Sequence, residues 1–139
     1  MNLLAHITDA GDGRVEQGLK EHCLHTGEYA ARGIGSVGLY HTAYLAGILH
    51  DAGKAKTEFV DYIEKAYQGE KVDRGSVNHT FAGVIWILER YHTDTSSIWE
   101  KLASEIIGYA VGSHHGMFDC VDLNGGNGFL YRLKKDKKE

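Results

Sequence analysis

An imidazole and a carboxylate stand side by side in Gly47-Ile48-Leu49-His50-Asp51, at the close of an apolar segment that runs on into Ala52-Gly53-Lys54. Adjacent His and Asp at a helix end can hold one divalent ion or bridge two. Matching donors occur at His22 in Glu21-His22-Cys23-Leu24-His25-Thr26, at His79 in Asn78-His79-Thr80, and at the doublet in Ser113-His114-His115-Gly116. Imidazoles around a shared carboxylate suit Mn, Fe, Co, Ni or Zn, whereas Mg and Ca prefer oxygen donors. Two such ions a few ångströms apart can deliver a hydroxide and steady both oxygens of an in-line phosphoryl displacement. The donor set therefore points to metal-dependent hydrolysis of phosphoesters.

These residues need helices to carry them. From Val15 to Arg32 the residues Leu19, Cys23, Thr26 and Ala30 recur with the spacing of one helical face. At about 100° per residue His22 lies within roughly 60° of Leu19 on that inward stripe, and His25 about 120° away, so His22 is the ligand candidate of the two. Leu39 to Ala52 is apolar and of helix length, and Lys56 to Tyr67 places Phe59, Ile63 and Tyr67 on one face before Gly69 ends it. Gly69 to Ser76 reads as a polar loop, and Ser76 or Asn78 can cap a helix with Val84, Ile85, Leu88 and Tyr91 inward. Thr95-Ser96-Ser97 caps another, with Ile98, Leu102, Ile106 and Tyr109 or Ala110 leading to Val111 and the His doublet. Residues 1–13 end in the turn-rich Asp9-Ala10-Gly11-Asp12-Gly13, Asn124 to Gly128 reads as a loop, and residues 133–139 as a charged tail. No alternating strand pattern of useful length appears and there is no Pro. The expected fold is all-α, a compact bundle of five to six helices. The metal donors fall near the ends of four of them, and bundles commonly build metal sites from facing helices.

A chain of 139 residues with 42% hydrophobic residues fits one domain, 1–139, with a real core. Its formal charge of −4 gives no general attraction for a polyanion, so any nucleic-acid contact must be local. Cys23 and Cys120 are too few and too far apart for a disulfide framework and read as buried reduced thiols. No apolar run approaches the roughly 18 residues of a membrane span, and nothing resembles a signal peptide, so a cytoplasmic protein is expected. Nine His in so short a chain mark several of them for function.

The order of histidine, His-Asp and further histidines resembles the HD superfamily of metal-dependent phosphohydrolases. The fuller segments Glu21-His22-Cys23-Leu24, Leu45 to Lys54, Val77-Asn78-His79-Thr80 with Ala82-Gly83, and Gly112 to Gly116 are most similar to the HD nuclease domain of CRISPR-associated type I helicase-nucleases. The likeness covers about Leu3 to Asp119. It implies the compact HD bundle with its metal site at the helix ends. It implies that His22, His50 and Asp51 hold one divalent ion, that Asp51 bridges to a second, and that His79, His114 and His115 complete the second site. Asp51 thereby becomes central to catalysis, and Lys54 falls where this superfamily often keeps a basic residue near the phosphate. A lysine near a helix C-terminus that offsets the dipole is the other reading of Lys54. The implied substrate is single-stranded DNA, within CRISPR interference alongside a helicase domain or subunit and the surveillance complex. No P-loop pattern is present, so unwinding must come from elsewhere.

One feature departs from the family pattern, which closes the first metal site with an Asp well downstream of the His doublet. Asp119 and Asp122 are available after His115 but lie close to it in sequence. Either one of them substitutes, or the HD domain is C-terminally incomplete and the His22–His50–Asp51 site lacks a ligand. His6, His25, His41 and His92 lack a motif and are expected to stay outside the metal site. A hydrolase of small nucleotides and an inactive HD module that binds partners are the competing functional classes.

Overall fold

The computed structural model describes residues 3–73, 75–117 and 128–137. Among these the chain forms one two-stranded hairpin followed by six helices. Strand β1 (Leu4–Asp9) pairs antiparallel with β2 (Arg14–Gly18). The turn between them is the one expected at Asp9 to Gly13: Asp9 Oδ1 accepts the Gly11 N–H at 2.9 Å, and Gly11 and Gly13 take φ of +85° and +136°, where a side chain would be strained.

The hairpin corrects two expectations. The first helix, α1 (Leu19–Ile34), begins after β2 rather than at Val15. Its first residue instead donates to the ladder, with Leu19 N–H on the Leu3 carbonyl at 2.8 Å. Strand pairing was not visible because β2 is exposed or half-buried throughout, so no alternation of apolar and polar residues marks it.

The next elements follow the sequence closely. Helix α2 (Tyr40–Leu49) leads through His50 and Asp51 into a 3-10 turn at Ala52–Ala55, and α3 (Thr57–Tyr67) follows. Helix α1 packs on α2 where two glycines meet: a Cβ on Gly47 would sit 2.6 Å from the Gly27 Cα. Arg14 of β2 ties the hairpin to α3, donating to Glu64 at 2.8 Å with its guanidinium over the Tyr67 ring.

Helix α4 (Ala82–Tyr91) starts after the expected cap region, and α5 (Ile98–Gly112) starts at Ser97. Ser97 Oγ accepts the Glu100 N–H, while Glu100 Oε2 accepts the Ser97 N–H at 2.7 Å, a reciprocal cap for the first turn. The inward face of α5 is not the one the apolar spacing suggested. Ile107 and Val111 are buried beside Ser104 and Gly108, while Ile98, Leu102, Ile106 and Tyr109 are 70, 44, 49 and 47% exposed. With apolar residues on both sides of the helix, periodicity cannot choose the face.

The segment read as a loop and charged tail also holds a helix, α6 (Phe129–Asp136). Phe129 stacks on Tyr109 with ring centroids 4.3 Å apart and tilts against Phe81 at 5.5 Å, joining the core of Leu49, Val84, Ile87, Ile107 and Val111. Burying a Phe side chain is worth about 1.5–3 kcal/mol relative to leaving it exposed. That gain holds α6 in place although most of its other residues face solvent. Among the described residues no helix is long and apolar enough to cross a membrane.

Candidate metal centre

His22 projects from the second turn of α1, while His50 and Asp51 lie where α2 ends. His79 sits on the segment before α4, shaped by Asn78, whose Oδ1 accepts the Thr80 N–H and whose Nδ2 donates to Asp136 of α6 at 2.6 Å. His114 and His115 follow the end of α5. The C-terminal ends of α2 and α5, each the negative end of its helix dipole, thus flank one place, which favours positive charge there.

Asp51 is the hub, only 3% exposed. Its two oxygens face different partners. Oδ2 is 3.0 Å from His22 Nε2, 3.1 Å from His50 Nε2 and 2.9 Å from Lys54 Nζ. Oδ1 is 3.5 Å from His114 Nε2 and 3.8 Å from His79 Nε2. His115 joins the second group, its Nε2 2.8 Å from that of His79.

Backbone carbonyls aim the rings. His50 Nδ1 donates to the Gly47 carbonyl at 2.7 Å and His114 Nδ1 to the Val111 carbonyl at 2.7 Å, the same one-turn-back arrangement at two helix ends. His79 Nδ1 donates to the Val77 carbonyl at 3.3 Å. A carbonyl can only accept, so each Nδ1 carries a proton, and each ring in its neutral form turns an Nε2 lone pair toward the side chains gathered at Asp51.

This geometry fits divalent ions. Two ligands each about 2.1 Å from one ion, at tetrahedral or octahedral angles, stand roughly 3.0–3.4 Å apart, close to most of the separations here. The Asp51 Oδ1 and His114 Nε2 atoms are buried and make no hydrogen bond among the described residues, an expensive arrangement unless something else satisfies them. Ligand atoms of Asp51, His79, His114 and His115 all lie within 4.8 Å of one another.

Charge follows the same plan. Burial works against ionisation of Asp51, but contacts from His114, His50 and Lys54, together with the Lys54 charge, outweigh it and hold the carboxyl far below its usual range. Burial pushes the pKa of His22 and His79 down, which favours the neutral, metal-binding form. Burial opposes charge on His50 too, yet its bonds to Asp51 and the Gly47 carbonyl win and raise its pKa.

His22, His50, Asp51, Lys54, His79, His114 and His115 are thus brought together around one carboxylate. Lys54 is 5% exposed, bound to Asp51 Oδ2 and donating to the Ala5 carbonyl of β1 at 3.2 Å. Of the histidines set aside, His25 and His41 are exposed and His92 pairs with Glu105 at 2.7 Å. His6, carried by the hairpin that the sequence did not reveal, brings a ring nitrogen within 4.8 Å of ligand atoms of His22 and Asp51. Asp119, Asp122 and Cys120 lie outside the described residues.

The glycines of the motif explain how these segments come so close. A Cβ on Gly53 would lie 2.2 Å from the His79 carbonyl oxygen, and one on Gly83 would lie 2.2 Å from the Leu49 carbonyl oxygen. Only glycine permits backbone to touch backbone at such points, so the motif residues between the ligands set the distances among them.

A family model described as "Cas3, HD domain" matches residues 1–135. No curated protein matches the chain.

Proposed function

The chain belongs to the Cas3 HD-domain family, a CRISPR-associated, nuclease-type branch of the metal-dependent hydrolases, and from that premise we propose that it hydrolyses phosphodiester bonds of single-stranded DNA. It does so as one HD nuclease domain, in the cytoplasm, with unwinding supplied by a helicase domain or subunit and recruitment by a CRISPR surveillance complex. The observation that carries this reading is the division of the Asp51 carboxylate, one oxygen toward His22 and His50 and the other toward His79 and His114. A carboxylate so divided could offer one oxygen to each of two ions.

His22, His50 and Asp51 would hold one ion, and Asp51, His79, His114 and His115 the other. Ions held there would supply Lewis acidity, to phosphoryl oxygens and to water. Asp51 supplies the one fixed negative charge among the described donors, and the Nδ1-to-carbonyl bonds keep the imidazole lone pairs turned inward before any ion arrives. Lys54, buried beside Asp51, fixes the carboxylate. His115 lies on the exposed side of the centre, where an extended strand can approach. A flexible single strand can bend one phosphate into such a place, whereas a duplex holds its backbone stiffly away.

The test is metal analysis of protein purified without chelator, followed by assay on single-stranded DNA, duplex DNA and mononucleotides. We expect bound transition metal and cleavage of single strands with little sequence preference, abolished by EDTA. Hydrolysis of mononucleotides with single strands left intact would move the assignment to a small-nucleotide hydrolase. Metal-loaded protein inert on all three would make it a binding module.

A further inference from the structure

We propose that His6 is a ligand of the ion shared by His22 and Asp51, which gives that site a third imidazole. The inference rests on the metal-dependent reading above and deepens it. A ring nitrogen of His6, one of His22 and a carboxylate oxygen of Asp51 all lie within 4.8 Å of one another. The His6 and His22 rings meet edge to face with centroids 4.9 Å apart.

The hairpin is built to place that ring. Strand pairing slips between Leu4 and His6, so that Leu4 faces Gly18 while His6 faces Gln17. Leu4 and Ala5 are consequently both buried although they are neighbours, and the usual alternation is broken just before His6. Irregularities of this kind re-aim a side chain and recur beside active sites. The preceding carbonyl is held as well: Lys54 Nζ, already on Asp51, donates to Ala5 at 3.2 Å. One buried ammonium therefore locks the strand carrying His6 to the carboxylate His6 would share an ion with.

His6 also balances the donors. The group around His79 offers three imidazoles and the Asp51 carboxylate; the second group joins His6 and His22 to Asp51, with His50 Nε2 3.1 Å from both His22 and Asp51, so that His6 would bring its imidazoles to three. Three nitrogens and one oxygen favour Zn, Ni, Co or Fe over Mg.

Zinc is the probe, being diamagnetic and redox-inert. Metal-stripped wild type, His6→Ala, His6→Gln, His22→Ala, His79→Ala and His25→Ala are titrated with Zn(II) by calorimetry, and metal-free melting is recorded for each. The ring nitrogens of His6 are followed by NMR in the wild type during the same titration, a readout that needs no substitution. Wild type and His25→Ala should bind two ions. In His6→Ala and His6→Gln one ion should bind about ten- to a hundredfold more weakly, the same ion that His22→Ala loses and not the one His79→Ala loses. A His6 ring nitrogen should shift as zinc is added. Two ions bound with unchanged affinity in both His6 variants, with the wild-type His6 resonances unmoved, would overturn the inference and leave the function standing. Loss of the ion on Asp119→Asn or Asp122→Asn, with the His6 variants unaffected, would overturn it too. Wild type that binds no zinc, nickel, cobalt or manganese would instead reject the metal-dependent reading, and this inference with it.

Discussion

Substituting Gly53 with alanine tests whether backbone contact sets the metal geometry. Gly53 is not among the glycines with positive φ, so alanine fits its backbone conformation and only space is at issue. The new Cβ would lie 2.2 Å from the His79 carbonyl oxygen and 2.5 Å from its Cα, against a floor of 3.0 Å for real Cβ contacts. The two backbones must part by about 0.8 Å to accommodate it. Because the Lys54 N–H holds the Asp51 carbonyl at 2.9 Å, the turn carrying Asp51 moves with Gly53 rather than absorbing the shift. The His79-to-Asp51 separation, now 3.8 Å, then opens by a similar amount. Metal bonds tolerate about 0.2 Å, so an ion can no longer satisfy both sides at once. Misplacement on the order of 1 Å costs roughly a hundredfold in rate, and overpacking costs about 1–3 kcal/mol of stability. We expect kcat/KM on single-stranded DNA to fall about a hundredfold, zinc to bind more weakly at the His79 site in calorimetry, and the melting temperature to drop by roughly 4 °C per kcal/mol lost. Gly33→Ala is the control: a Cβ there meets nothing within 4 Å and it lies within α1, so it should leave activity unchanged and add about 0.5–1 kcal/mol of stability. If Gly53→Ala kept wild-type zinc affinity, activity and melting, the argument from backbone contact would be refuted.

Two further outcomes follow from the charges around Asp51. Asp51→Asn should abolish tight metal binding and, in metal-free protein, cost about 3–5 kcal/mol by leaving the buried Lys54 ammonium without its anion. Adding Lys54→Met should recover most of that stability in urea unfolding but none of the metal binding, and a double variant no more stable than Asp51→Asn would contradict the pairing. Metal binding should also depend on pH. His50 has its pKa raised above the ordinary 6.5, so its proton competes for the site at higher pH than that of an ordinary histidine. Protonated imidazole cannot ligate, so affinity is full at alkaline pH and falls as pH drops through the raised value. Calorimetric titration with zinc between pH 8 and pH 6 checks this, and a flat profile would count against His50 as a ligand.

How much of this was legible in the sequence depends on whether the information is local. Ser97 and Glu100 announce the start of α5 because a reciprocal cap involves residues three apart. The cluster was legible because histidines are chemically unusual and its His-Asp pair is contiguous. The hairpin was not, since β2 shows no buried face and strand register is a relation between two segments. Helix α6 escaped for a similar reason: its core contribution rests chiefly on Phe129, whose partners Tyr109 and Phe81 are distant in the chain. The inward face of α5 is likewise chosen by its neighbours, among equally apolar options.

The motif glycines sit between these two cases. Each is a single local residue, yet each records a contact between segments far apart in sequence: Gly47 against Gly27, Gly53 against His79, Gly83 against Leu49. The first lets α2 approach α1, which carries His22. The second brings the turn after Asp51 onto the backbone of His79, and the third seats α4 against the end of α2, from which His50 and Asp51 emerge. A metal centre needs its donors placed to within a few tenths of an ångström, and side chains alone are too free to guarantee that. Backbone resting on backbone is stiffer, which is the physical reason why the recognisable pattern around His50-Asp51 extends to residues that bind nothing.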